Sequence, residues 1–198
     1  MINMLFYVKY IQGDVKLGIR EILDEFSFVE FRLRILKYLW ETRPKNYETI
    51  RGVSIPYLKV SPFLLKEKLF RSKYSRGEVW CHKLDGTAMI FIAGPDKFWR
   101  YTVYHEYWEG KLLREKKSNE QIFETVFSKI QLIREALDAP SPEFISEEIK
   151  KAVETMVNNY HPAAHVEAIF EELLLAKEEL PHDDFIILRK NIMDRLNK

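Results

Sequence analysis

The chain has 198 residues, of which 46% are apolar and 14% aromatic, excluding a mainly disordered polypeptide and sufficing for one ordinary domain or two small ones. Its single cysteine, Cys81, excludes a disulfide framework within the chain and a Cys-rich zinc knuckle. The net charge of +1 conceals opposite halves: residues 1–100 carry 18 Lys/Arg against 11 Asp/Glu, and residues 101–198 carry 13 against 19. A basic amino-terminal half of +7 and an acidic carboxy-terminal half of −6 either attract each other or divide a polyanionic partner from the chemistry.

Nothing approaches the roughly 18 apolar residues of a membrane span, and the opening run Met4–Val8 meets Lys9 too soon for a signal sequence. The simplest compartment is therefore the cytoplasm, with no membrane partner. Glu outnumbers Asp 22 to 8 and only three Gln occur, a bias associated with heat-stable proteins.

In chain order, residues 4–11 read as a strand and Asp14 caps a helix over 15–25. A second helix, 28–42, presents Phe28, Phe31, Leu36, Leu39 and Trp40, and Arg43-Pro44 ends it. Residues 47–60 carry no decisive pattern. Ser61-Pro62 opens another to about Arg71. Two strand-like runs, 78–84 and 87–93, flank Asp85-Gly86, a pair suited to the positive φ angles of a tight hairpin turn. Beyond Pro95 the pattern is helical: 96–116; 119–137, opened by a Ser118/Gln121 capping box; 142–158; and 162–180, stopped by Pro181. Asp183 or Asp184 caps the last helix. The class is α+β, with amino-terminal helices and a β-hairpin leading into a mostly helical carboxy-terminal half. The domain expectation is a basic region, 1–94, and an acidic helical region, 95–198, which also fit one continuous domain.

On helix 96–116, Phe98, Tyr101, Thr102, His105, Trp108, Glu109, Leu112 and Leu113 share a face. His105 and Glu109, one turn apart, therefore point towards the core. A carboxylate there must be paired, protonated or bound to a cation. Ligands at i and i+4 are how one helix gives two donors to one metal.

Strand 87–93, the step Arg100-Tyr101-Thr102 and the segment His105-Glu106-Tyr107-Trp108-Glu109 together resemble the core of the zincin metallopeptidases, in the compact form encoded beside phage-type repressors. The resemblance covers about 29 residues, 85–113. It implies Zn2+ as cofactor and a peptide or protein substrate, with His105 as a ligand and Glu106 as the general base. It also makes strand 87–93 the edge strand that leads into the signature helix. Glu109 departs from the family's His-Glu-x-x-His, standing where the second histidine belongs; a carboxylate can bind zinc, so the pattern implies either a hydrolase or an inactive relict.

The family's third ligand comes from a later helix. His165 is preferred here, giving a His2Glu set, with His161 and Glu172 as alternates. Glu172 lies about 10 Å beyond His165 along the helix and reads better as a partner to a ligand than as a ligand. The alternative at these positions is a satisfied core histidine and an i, i+4 His–Glu hydrogen bond.

Two other classes of function stand beside this one. The order helix 28–42, helix 47–52, helix 61–71 and hairpin 78–93 follows a winged helix, with Lys59, Lys66, Lys68, Arg71, Lys73 and Arg76 as phosphate contacts for a nucleic acid. A zincin-like scaffold without activity would instead serve as an interaction protein. Glu171-Glu172 and Glu178-Glu179 read as solvated faces.

Overall fold

The computed structural model describes residues 36–60, 77–81, 88–93, 97–155 and 162–196. The expected strand 4–11, helix 15–25 and helix 61–71 lie outside the described residues. The chain divides into two compact units, residues 1–43 and 44–198. In the first, residues 36–42 are helical, and the Thr42 hydroxyl donates to the Tyr38 carbonyl at 2.7 Å, closing the helix just before Arg43-Pro44 as the sequence implies.

The second unit is α+β. Its elements are β1 (Asn46–Ile50), β2 (Val53–Val60), β3 (Gly77–Cys81), β4 (Ala88–Ala93), α1 (Trp99–Glu115), α2 (Asn119–Ser128), α3 (Ile130–Leu137), α4 (Pro142–Thr155), α5 (Pro162–Glu179) and α6 (His182–Leu196). Strands of the basic half share one core with the acidic helices.

Residues 47–52 are not helical. They form most of β1 and the turn of a β1–β2 hairpin in which Ile50 opposes Val53, leaving Arg51 and Gly52 as a two-residue turn. Both turn residues have positive φ, +49° and +78°, which identifies the turn type whose twist matches the flanking strands. Alternation from that turn gives the missing Pro56 N–H a position facing away from β1. β4 begins its pairing with β2 only at Leu58, so no strand hydrogen bond is lost there.

The sheet order is β1-β2-β4-β3, with β2 parallel to β4 and the other neighbours antiparallel. β4 therefore lies between β2 and β3, and the expected edge strand is internal. Met89, Ile90, Phe91 and Ile92 are all buried, as a strand flanked on both sides requires. β3 and β4 form the expected antiparallel pair, but Cys81 opposes Ala88. A two-residue turn at Asp85-Gly86 would place Cys81 opposite Ile90. The register is displaced by two residues from that expectation.

α1 follows the sheet. Phe98 is its N-cap without a side-chain cap, and Lys116 closes it in the left-handed region. Of the expected stripe, Phe98, Tyr101, Thr102, His105 and Leu112 are buried while Trp108, Glu109 and Leu113 are half-buried, and Val103, Tyr104 and Glu106 off the stripe are buried too. The first half of α1 is covered all round because it packs against both the sheet and α5. α5 is similarly central: Ala163, Ala164, Val166, Ala168, Ile169, Phe170, Leu173, Leu175 and Ala176 bury most of its circumference.

The Ser118/Gln121 capping box forms, with reciprocal hydrogen bonds of 3.3 and 3.0 Å. The helix it opens does not continue to 137, because it breaks at Lys129 into α2 and α3. There the Lys129 ammonium contacts the Glu171 carboxylate and lies 4.0 Å from Glu167, both buried on α5. Ser141 caps α4, its hydroxyl accepting from the Phe144 N–H at 3.2 Å. Asp183 and Asp184 sit inside the first turn of α6 rather than at its cap, near the positive end of the helix dipole.

Candidate metal centre

The packing of α1 against α5 brings His105, Glu109 and His165 together. One donor atom from each lies within 4.8 Å of the others. His105 Nε2 is 3.2 Å from His165 Nδ1, His165 Nδ1 is 3.1 Å from Glu109 Oε2, and His105 Nε2 is 3.5 Å from Glu109 Oε2. Four donors tetrahedrally placed at zinc–ligand distances would stand roughly 3.3 Å apart. The three separations straddle that value.

Hydrogen bonding alone does not satisfy such a triangle. Two N–H groups and one carboxylate oxygen can serve only two of the three edges, leaving the third as facing N–H dipoles or facing lone pairs. A cation at the centre attracts all three donors at once. The residues present therefore fit a bound metal, and His2Glu is a donor set of catalytic zinc sites.

The second nitrogen of His105 strengthens the fit. Nδ1 is buried and has no completed hydrogen bond among the described residues, yet it lies 3.3 Å from Glu172 Oε2. That separation is an ion-pair contact whose alignment falls short of a hydrogen bond. His105 and Glu172 are each about 2% exposed. His165 and Glu109 are more open, with side chains 33% and 21% exposed, so their side of the centre faces solvent.

Neighbouring charges dominate the titration of His105 and Glu109. Burial pulls the His105 imidazolium down, but Glu109, Glu172 and Glu106 outweigh it and push the pKa up to about 10. Burial raises Glu109, and His165 and His105 reverse that, holding its carboxyl well below the usual carboxylate range.

Of the sequence-predicted residues, His105, Glu109 and His165 converge. Glu172 is placed behind His105 and not among the donors, as its axial offset implies. Glu106 is 6% exposed and its charge acts on His105, but it does not join the donor triangle. His161 lies outside the described residues, as do Lys66, Lys68, Arg71, Lys73 and Arg76. Lys59 is exposed on β2, its ammonium 5.0 Å from the Trp99 ring.

Glu171-Glu172 is not a solvated face: Glu171 is 4% exposed and is paired with Lys129, with Arg51 at 3.8 Å. Glu178 and Glu179 are exposed as expected and pair with Arg51 and Arg100. The sequence pattern missed Arg51 and Lys129 as buried-charge partners. Their only local signal was a cation beside a turn or helix break.

No protein-family model, curated protein or solved structure matches this chain.

Proposed function

We propose that the chain is a divergent zincin-like protein that binds one divalent transition metal, Zn2+, through His105 Nε2, Glu109 Oε2 and His165 Nδ1, and that it hydrolyses a peptide bond there. The observation that carries the reading is the mutual approach of those three donors at 3.1–3.5 Å on two packed helices. Two imidazoles and one carboxylate favour zinc and its neighbours over Mg2+ or Ca2+, which prefer all-oxygen surroundings.

Three protein donors leave a fourth position for water or substrate, and the exposure of His165 and Glu109 gives it access. A bound zinc supplies Lewis-acid polarisation of the scissile carbonyl. In this reading Glu106 accepts the proton of the attacking water and passes it to the leaving amine. His105 is held rigidly by burial, while His165 borders the open side.

The test is a titration of chelator-stripped, tag-free protein with Zn2+ and with Mg2+, followed by a fluorogenic peptide library. One equivalent of Zn2+, no response to Mg2+, and hydrolysis abolished in Glu106→Gln with zinc retained are the expected results. Zinc uptake with no hydrolysis by the native chain would reduce the function to metal binding. No zinc uptake would remove both parts.

A further inference from the structure

α5 approaches His105 from two sides. It supplies His165 against Nε2 and, seven residues later on the same face, Glu172 against Nδ1. The two contacts, 3.2 and 3.3 Å, fall on opposite nitrogens of one imidazole. The ring itself comes from α1 and is almost wholly buried.

From this geometry we infer that Glu172 is the positioning residue of the metal centre: it receives the Nδ1–H of His105 and so commits Nε2 to the metal. The inference rests on the metal reading proposed above.

Three observations support it beyond proximity. Nδ1 is buried without a completed hydrogen bond, so a donor there has no water to turn to. Glu172 is equally buried, and a buried carboxylate is held by the groups that face it. An ordinary imidazole can bind metal through either nitrogen, and the hydrogen bond of the other decides which. The 3.3 Å separation of Nδ1 from Glu172 is already within hydrogen-bond reach, and metal on Nε2 would make Nδ1 a more acidic, stronger donor.

Glu172 also raises the basicity of the ligand it holds. Carboxylates behind metal-bound histidines typically contribute roughly 10–100-fold to affinity. In Glu172→Gln the side-chain carbonyl can still accept the Nδ1–H, so orientation survives and the charge is lost. In Glu172→Leu both are lost.

The experiment measures Zn2+ affinity by chelator competition for the full-length native protein, Glu172→Gln and Glu172→Leu. Long-range 1H–15N correlation spectra of the zinc-loaded forms report which nitrogen of His105 carries hydrogen. The expected result is Nδ1–H with metal on Nε2 in the native protein. Affinity should be about 10–100-fold weaker in Glu172→Leu, with Glu172→Gln intermediate and its Nδ1–H retained. Native affinity in both variants, or metal on Nδ1 in the native protein, would overturn the inference while leaving the metal centre standing. A native protein that takes up no zinc would sink both. If Glu172→Leu fails to fold, Glu172→Gln alone decides, since a merely structural role would leave its zinc affinity unchanged.

Discussion

Arg100 sits on α1 five residues before His105 and fastens two other elements to that helix. Its Nε and Nη2 donate to the two oxygens of Glu179 at 2.9 and 3.0 Å, and its Nη1 donates to Glu48 and to the Thr49 carbonyl. The bidentate geometry separates this pair from ordinary surface ion pairs, although the side chains remain about 30% exposed. Arg100→Ala should therefore cost about 1 kcal/mol at neutral pH, measured by urea unfolding. Hydrogen bonding to Arg100 holds the Glu179 carboxyl below its ordinary value of 4.5. A depressed carboxylate contributes stability above the unfolded pKa and loses it as pH falls through the folded one. The difference between Arg100→Ala and the native protein should thus be constant above pH 5.5 or so and shrink as pH falls below 4.5. A pH-independent difference would show that Arg100 acts through packing alone.

At the scale of elements, the β1–β2 hairpin and the α2–α3 break depend on single positions. Gly52 has φ +78°, and a Cβ there would meet nothing within 4 Å. Gly52→Ala should accordingly cost about 1 kcal/mol from backbone strain alone, and Gly52→Asn less, because Asn tolerates the left-handed region. Equal stability of all three would contradict the turn assignment. Lys129 is different. Its ammonium is a counter-charge for Glu167 and Glu171, and burial already raises the Glu167 pKa. Lys129→Met should cost about 2–3 kcal/mol in thermal or urea unfolding, below the full cost of breaking a buried pair because Lys129 is 30% exposed. A loss under 0.5 kcal/mol, on the order of a surface pair, would count against that role.

These two elements also mark where sequence patterns stop being informative. The α1 stripe, the Ser118/Gln121 box and the Ser141-Pro142 start are local chemistry, and each forms where its residues lie. The β1–β2 hairpin was hidden because Arg-Gly is a weaker turn signal than Asn-Gly or Asp-Gly. At the break, Lys129 meets a carboxylate 42 residues away, a partner that no helical periodicity reports. Glu171 was misread for the same reason: a glutamate's burial depends on a cation supplied by another element.

For the whole molecule, the candidate centre is assembled from a legible half and an illegible half. His105 and Glu109 share one turn of one helix, so their juxtaposition follows from spacing. Their meeting with His165 depends on how α1 and α5 pack, 60 residues apart. Two central packed helices, with charged groups between them, form a core that a cation would tie together. Bound zinc at 1,000 times its dissociation constant should add about 4 kcal/mol to the stability of the stripped protein, read as a rise in melting temperature. His165→Ala should show no such rise. Among the described residues no helix is long and apolar enough to cross a membrane.

The most direct measurement is elemental analysis of the full-length protein, purified without a His-tag and dialysed against trace zinc, beside His105→Ala and His165→Ala. The expected result is close to one equivalent of transition metal in the native chain and less than a tenth in either variant. Less than a tenth of an equivalent in the native chain, or undiminished metal in both variants, would contradict a centre built on His105, Glu109 and His165.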